Sequence, residues 1–167
     1  MELENVEILF RDFRKRDIDR LVYEELKIST LKVKSSHFLD YTIHKDIGIS
    51  QVKNIEKTLS PKGTGNIFFE EVQLGILLKD VVVVYSFDKQ LGDIVFNFTE
   101  AQLLINQRHI NKIRLKKLIH YLVDVKKKYE IPKVIIGYEP ATDEDTLFIE
   151  INDPVTNYAN EIDKIFS

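Results

Sequence analysis

The stretch from Asn111 to Tyr129 constrains the fold more than any other part of the chain. At 100° per residue, Leu115, Leu118, Ile119, Leu122, Val125 and Tyr129 share an arc of roughly 120°, and Lys116, Lys117, His120, Asp124, Lys127 and Lys128 share the opposite one. Such a helix is stable only if its apolar arc lies on another apolar surface. Strand-like segments flank it on both sides. Before it, Val81–Phe87 is an apolar run of central-strand type, and Asp88–Gly92 is a turn whose Gly92 suits the positive φ of a bulged hairpin. Asp93–Phe98 then alternates, with Ile94, Phe96 and Phe98 on one face and Val95, Asn97 and Thr99 on the other. After the helix come Pro132, a strand over Lys133–Tyr138, an acidic turn over Pro140–Asp145 and a strand over Thr146–Ile151. Hairpin, helix, hairpin calls for an antiparallel-rich sheet with helices packed on one face, which is the α+β class.

The first half is less regular. Asn5–Phe13 fits a helix or a strand. In Asp17–Lys27, Ile18, Leu21, Val22 and Leu26 fall on one helical stripe. Thr30–Lys34 and His37–His44 are rich in β-branched and aromatic residues and read as strands. Ile49, Val52, Ile55 and Leu59 recur at helical spacing, and Ser60–Gly65 stops that helix in a loop. Asn66–Leu78 holds one or two strands around Gly75.

With 167 residues, 44% of them apolar, the chain is expected to form one domain over 1–167. Folding would remove roughly 70% of its surface from water, enough core to stand without staples. The absence of cysteine excludes a disulfide framework, a thiolate nucleophile and any Cys-containing zinc site. The acidic start, Met1-Glu2-Leu3-Glu4, is unlike a signal peptide. The longest apolar run, Val81–Tyr85, is too short to cross a bilayer. A soluble, cytoplasmic protein is therefore expected, with no membrane partner.

The net charge of −3 argues against a dedicated nucleic-acid binder. The charge is nevertheless segregated. Arg108–Lys133 carries nine Lys/Arg against Asp124 and Glu130, and Tyr138–Ser167 carries eight Asp/Glu against Lys164. The two segments either face and cancel one another or steer a charged partner.

No catalytic motif emerges. Gly63-Thr64-Gly65 lacks the frame of a P-loop or a dinucleotide fingerprint and reads as a loop. Ser86 lacks the glycines of a nucleophile elbow and sits in a buried-strand context. Glu25-Leu26-Lys27 falls on a helix rather than the strand a metal-dependent nuclease would need. His120 is one helical turn before Asp124, spacing that gives a weak solvated pair. His37, Asp40 and His44 would share a face on a helix and could hold a metal, which leaves a metal-assisted hydrolase as the alternative function. In a strand, His37 and His44 point to opposite faces, and the residues between them favour a strand. No cofactor, catalytic residue or metal is expected.

The remaining feature is Glu139-Pro140-Ala141-Thr142-Asp143-Glu144-Asp145, a run of carboxylates in a turn between two strands. It lacks the ligand frame of a calcium loop. It is either a hydrated hairpin tip or an anionic knob offered to a basic cleft on a protein partner. Glu139, Asp143, Glu144 and Asp145 are the candidate contacts, and Asp88, Asp93 and Glu150 extend the surface if the two hairpins lie side by side. Together with Gly92–Phe98 (GDIVFNF), the segment Gly137–Ile151 (GYEPATDEDTLFIEI) resembles the immunity proteins of bacterial polymorphic toxins. That resemblance implies a stoichiometric inhibitor that binds a cognate toxin domain in the producer's cytoplasm. The chain would act as a monomer or homodimer; a self-associating subunit paired through alternating edge strands is a further alternative.

Overall fold

The computed structural model describes residues 4–40, 43–105, 107–151 and 158–166. Its framework is an eight-stranded sheet of β1 (Asn5–Arg14), β2 (Val33–Asp40), β3 (Lys45–Ile47), β4 (Gly63–Gln73), β5 (Leu77–Phe87), β6 (Leu91–Thr99), β7 (Lys133–Tyr138) and β8 (Leu147–Ile151). The order across the sheet is β3-β2-β4-β5-β6-β1-β7-β8, and every neighbouring pair is antiparallel. Three α-helices join it among the described residues: the one-turn α1 (Ile55–Thr58), the long α2 (Arg108–Lys128) and α3 (Ala159–Ile165). The α+β class holds, with helices on one face.

Period-two alternation decides which side chains meet the helices. Val6, Ile8 and Phe10 of β1, Val81, Val83 and Tyr85 of β5, and Ile94, Phe96 and Phe98 of β6 join Leu115, Leu118, Leu122 and Val125 of α2 in one core. Gly75, at φ +77°, turns β4 into β5 directly beneath α2, where an added Cβ would lie 2.6 Å from the Lys117 carbonyl oxygen. Lys15 is 2% exposed, and its ammonium donates to the carbonyls of Leu59 and Pro61, both at 3.0 Å, and to Ser60 Oγ at 3.4 Å. These bonds tie the end of β1 to the segment after α1. Burial lowers the Lys15 pKa, against weaker upward pulls from Glu56 and Asp88.

The structure settles one open reading and corrects several others. Asn5–Phe13 is a strand inside the sheet, between β6 and β7. The Asp17–Lys27 helix forms with all four of its stripe residues buried, but Arg20–Glu25 is wound as a π-helix. Of Thr30–Lys34, only the last two residues are strand, because Ile28–Thr30 makes a 3-10 turn. The helix expected over Ile49–Leu59 breaks into a 3-10 turn at Ile49–Gln51 and the short α1, which Asn54 caps through the Lys57 amide at 2.8 Å. Gly63–Gly65 opens β4 instead of looping; Gly65 lies against the Phe38 ring, where no side chain fits. Gly92 has no positive φ and serves to admit the ring of Phe87. Ser86 is exposed, because its strand is covered on one face only.

Candidate docking surface

The acidic segment between β7 and β8 is a braced hairpin. Asp143 N donates to the Pro140 carbonyl at 3.2 Å, and Leu147 N donates to the Asp143 carbonyl at 3.0 Å. Thr146 Oγ1 donates to the carbonyls of Pro140 and Asp143. At its foot, Glu139 N donates to the Asn5 carbonyl at 3.0 Å and Asn5 Nδ2 to Glu139 Oε2 at 3.2 Å. Tyr138 donates its hydroxyl to Glu100 Oε2 at 2.8 Å. Burial first, and then that bond, push the Tyr138 pKa up to about 12.

The hairpin also folds back over the sheet. Ala141 is fully buried against Leu9 and Ile135, with Val95 and Leu147 beside them, on the face away from the helices. Its amide donates to Glu7 Oε2 at 3.1 Å. Glu139, Asp143, Glu144 and Asp145 remain exposed. Glu7 was not singled out by sequence reasoning; the alternation of Val6, Ile8 and Phe10 was the available signal, since it turns Glu7 and Leu9 to the other face.

The seven candidate carboxylates do not gather in one place. β1 pairs Asn5 with Thr99 at one end of the sheet and Arg14 with Leu91 at the other. The 139–146 hairpin lies at the Asn5 end, and the β5–β6 turn with Asp88 lies at the Arg14 end. The two tips are therefore opposed rather than side by side. Asp88 and Asp93 instead line an open depression of about 990 Å³, together with Asp12, Lys62, Ser86 and Lys89. Asp93 Oδ1 accepts from the Asp12 amide at 3.1 Å there. Glu150 stands opposite Ile135 between the two ends and is paired with Lys133 at 2.6 Å.

His37 and Asp40 lie on opposite faces of β2, and His44 occupies the following turn at φ +51°. His37 Nδ1 lies 3.4 Å from Asp46 Oδ2. Among the described residues, no group of three or more His, Asp or Glu side chains converges as a metal ion requires. His120 and Asp124 are both exposed, 3.7 Å apart on α2. The oppositely charged segments meet through Lys133 and Glu150 and again where Lys112 Nζ lies 3.0 Å from Asp163 Oδ1 and lowers the Asp163 pKa. Elsewhere they separate, with Lys116, Lys117 and Lys127 exposed on the helix layer and the acidic hairpin on the opposite face. Among the described residues, no helix is long and apolar enough to cross a membrane.

An exposed, braced acidic hairpin beside a partly exposed sheet face is a surface on which a protein partner can dock. The particular family follows from comparison: residues 4–154 match the model of the PABL017 Cdi1I immunity protein family, and the chain belongs to that family. It is a toxin-neutralising immunity protein, not an enzyme. Its fold is similar to a chain of the 1.75 Å crystal structure of the toxic C-terminal tip of CdiA from Pseudomonas aeruginosa in complex with immune protein. The match has a TM-score of 0.69 and 16% identity over 93% of this chain and 98% of that one. No curated protein matches this chain.

Proposed function

We propose that this chain neutralises a CdiA-type toxin tip in the producer's cytoplasm, presenting Glu139, Asp143, Glu144 and Asp145 to a basic cleft on that tip. The single observation that carries the site is the hairpin's bracing, with Ala141 buried and its amide held by Glu7. Fixed carboxylates bind a cationic surface with less ordering cost than mobile ones and raise the rate of encounter. Asp88 and Asp93 form a second acidic station at the far end of the same face, and Glu150 is held partway by Lys133.

The test is titration of an inactivated CdiA tip into the protein, with Glu139, Asp143, Glu144 and Asp145 all changed to Lys. The variant is expected to bind at least tenfold more weakly, mainly through a slower on-rate, and the wild-type affinity should fall with added salt. Unaltered affinity and full protection of toxin-exposed cells would remove the hairpin from the interface.

A further inference from the structure

The bare face of the sheet carries more than the acidic hairpin. Its outward side chains follow directly from the strand registers. One row runs Asn66, Val84, Val95, Leu9 and Ile135 across β4, β5, β6, β1 and β7. The neighbouring row runs Phe68, Val82, Asn97, Glu7 and Gly137 across the same strands. The folded hairpin covers Leu9 and Ile135, but Phe68, Val82, Val84 and Val95 keep part of their surface in water. The ammonium of Lys34 lies 4.9 Å from the Phe68 ring centroid and pairs with Asp80 at the margin. An apolar centre bounded by charge at both ends has the anatomy of a protein interface.

We propose that this face, centred on Phe68, Val82, Val84 and Val95, is the apolar centre of the toxin-docking surface, with the acidic hairpin and the Asp88–Asp93 depression as its two charged ends. The inference rests on the reading that the partner is a toxin tip, and it specifies that partner's chemistry: an apolar patch flanked on both sides by Lys or Arg. From Asp93 to Thr99 the face is about 20 Å long, and from β4 to β7 about 19 Å wide. That is roughly half the ~800 Å² per partner of a standard interface, so the two charged ends must contribute the rest. Charge also argues against a second copy of this chain as the occupant. A two-fold contact would bring Glu7, Asp93 and the hairpin carboxylates of both copies onto one interface, like against like.

The experiment uses the full chain and an inactivated CdiA-type toxin tip. Phe68→Ser and Val84→Arg are each expected to weaken binding at least tenfold while leaving the circular dichroism spectrum and thermal midpoint near those of the parent protein. A photo-crosslinking amino acid at Val84 should capture the tip, whereas the same group at Lys127 on the helix layer should not; this arm stands even if Val84→Arg fails to fold. Parent-level binding by both folded variants, or no crosslink at Val84 in a complex that forms, overturns the inference. A parent dimer in light scattering that Val84→Arg converts to monomer also overturns it, in favour of self-association. Failure of the unaltered chain to bind the tip at all would instead defeat the underlying partner assignment.

Discussion

The two faces of the sheet are built from the same strands and do different work. On the helix-covered face, Ile8, Phe96, Val83 and Leu118 are fully buried, so every methylene there has partners in van der Waals contact. On the bare face, Val84 and Val95 are only partly shielded, and Ser86 and Thr64 are exposed. Stability therefore resides mainly in one face, which leaves the other free to be specified by a partner. A direct challenge is a matched pair of substitutions. Phe96→Ala is expected to cost about 3–5 kcal/mol in urea unfolding, through lost burial and the cavity left behind. Val84→Ala is expected to cost under ~1 kcal/mol, because water can fill the space of the lost methyls. Equal losses would erase the distinction between the faces.

What could be read from sequence follows the same division. Period-two and period-3.6 patterns report burial on one side, and they located α2, β5, β6 and β7 within a few residues. They said less where both faces are shielded. β1 lies inside the sheet with Leu9 covered by Ala141, so Ile8, Leu9 and Phe10 form a continuous buried run that helix and strand templates fit alike. The acidic hairpin was legible as composition, but its place was not. Its relation to Asp88 depends on β1 pairing between β6 and β7, a long-range choice that no local pattern encodes. Glu7 was missed for the same reason, since it matters only through an amide far along the chain.

The join between the sheet and its helix layer gives the next largest effect. Gly75→Ala places a β-carbon at φ +77° and 2.6 Å from the Lys117 carbonyl oxygen. The backbone or α2 must shift, and a loss of about 1–3 kcal/mol is expected. Gly48→Ala is the control: its backbone is extended, and the nearest atom, Ser36 Oγ, would lie 3.4 Å away. That variant should stay within ~0.5 kcal/mol of the parent.

Lys15 tests whether a buried charge helps hold the rim of the fold. Lys15→Met keeps the length of the side chain but leaves the Leu59 and Pro61 carbonyls without their donor. A loss of about 1–3 kcal/mol is expected from the unmet acceptors, offset in part by relief from burying an ammonium. The sign with pH follows from burial, which lowers the pKa below 10.5 in the folded protein. The unfolded chain then binds more protons between the lowered value and 10.5, so this group makes stability rise with pH across that window. Lys15→Met should remove that upward contribution from a plot of unfolding free energy against pH.

The smallest effect lies at the foot of the acidic hairpin and runs in the opposite direction. Tyr138 has a pKa of about 12 in the folded protein against 10.0 for the free side chain, through burial and the bond to Glu100. The folded state holds the phenol proton longer than the unfolded chain. Its contribution is fully present below pH 10.0 and is lost as pH rises through about 12. Burial also raises the pKa of Tyr85, Tyr121 and Tyr129, so Tyr138→Phe should reduce the alkaline decline without abolishing it. The difference in phenolate absorbance between the parent and the variant isolates Tyr138, and the thermal midpoint measured in parallel gives the stability change. If the variant keeps the whole decline, the Tyr138–Glu100 bond does not help to hold the hairpin, and the bracing rests on Glu7 and the Asn5–Glu139 contacts alone.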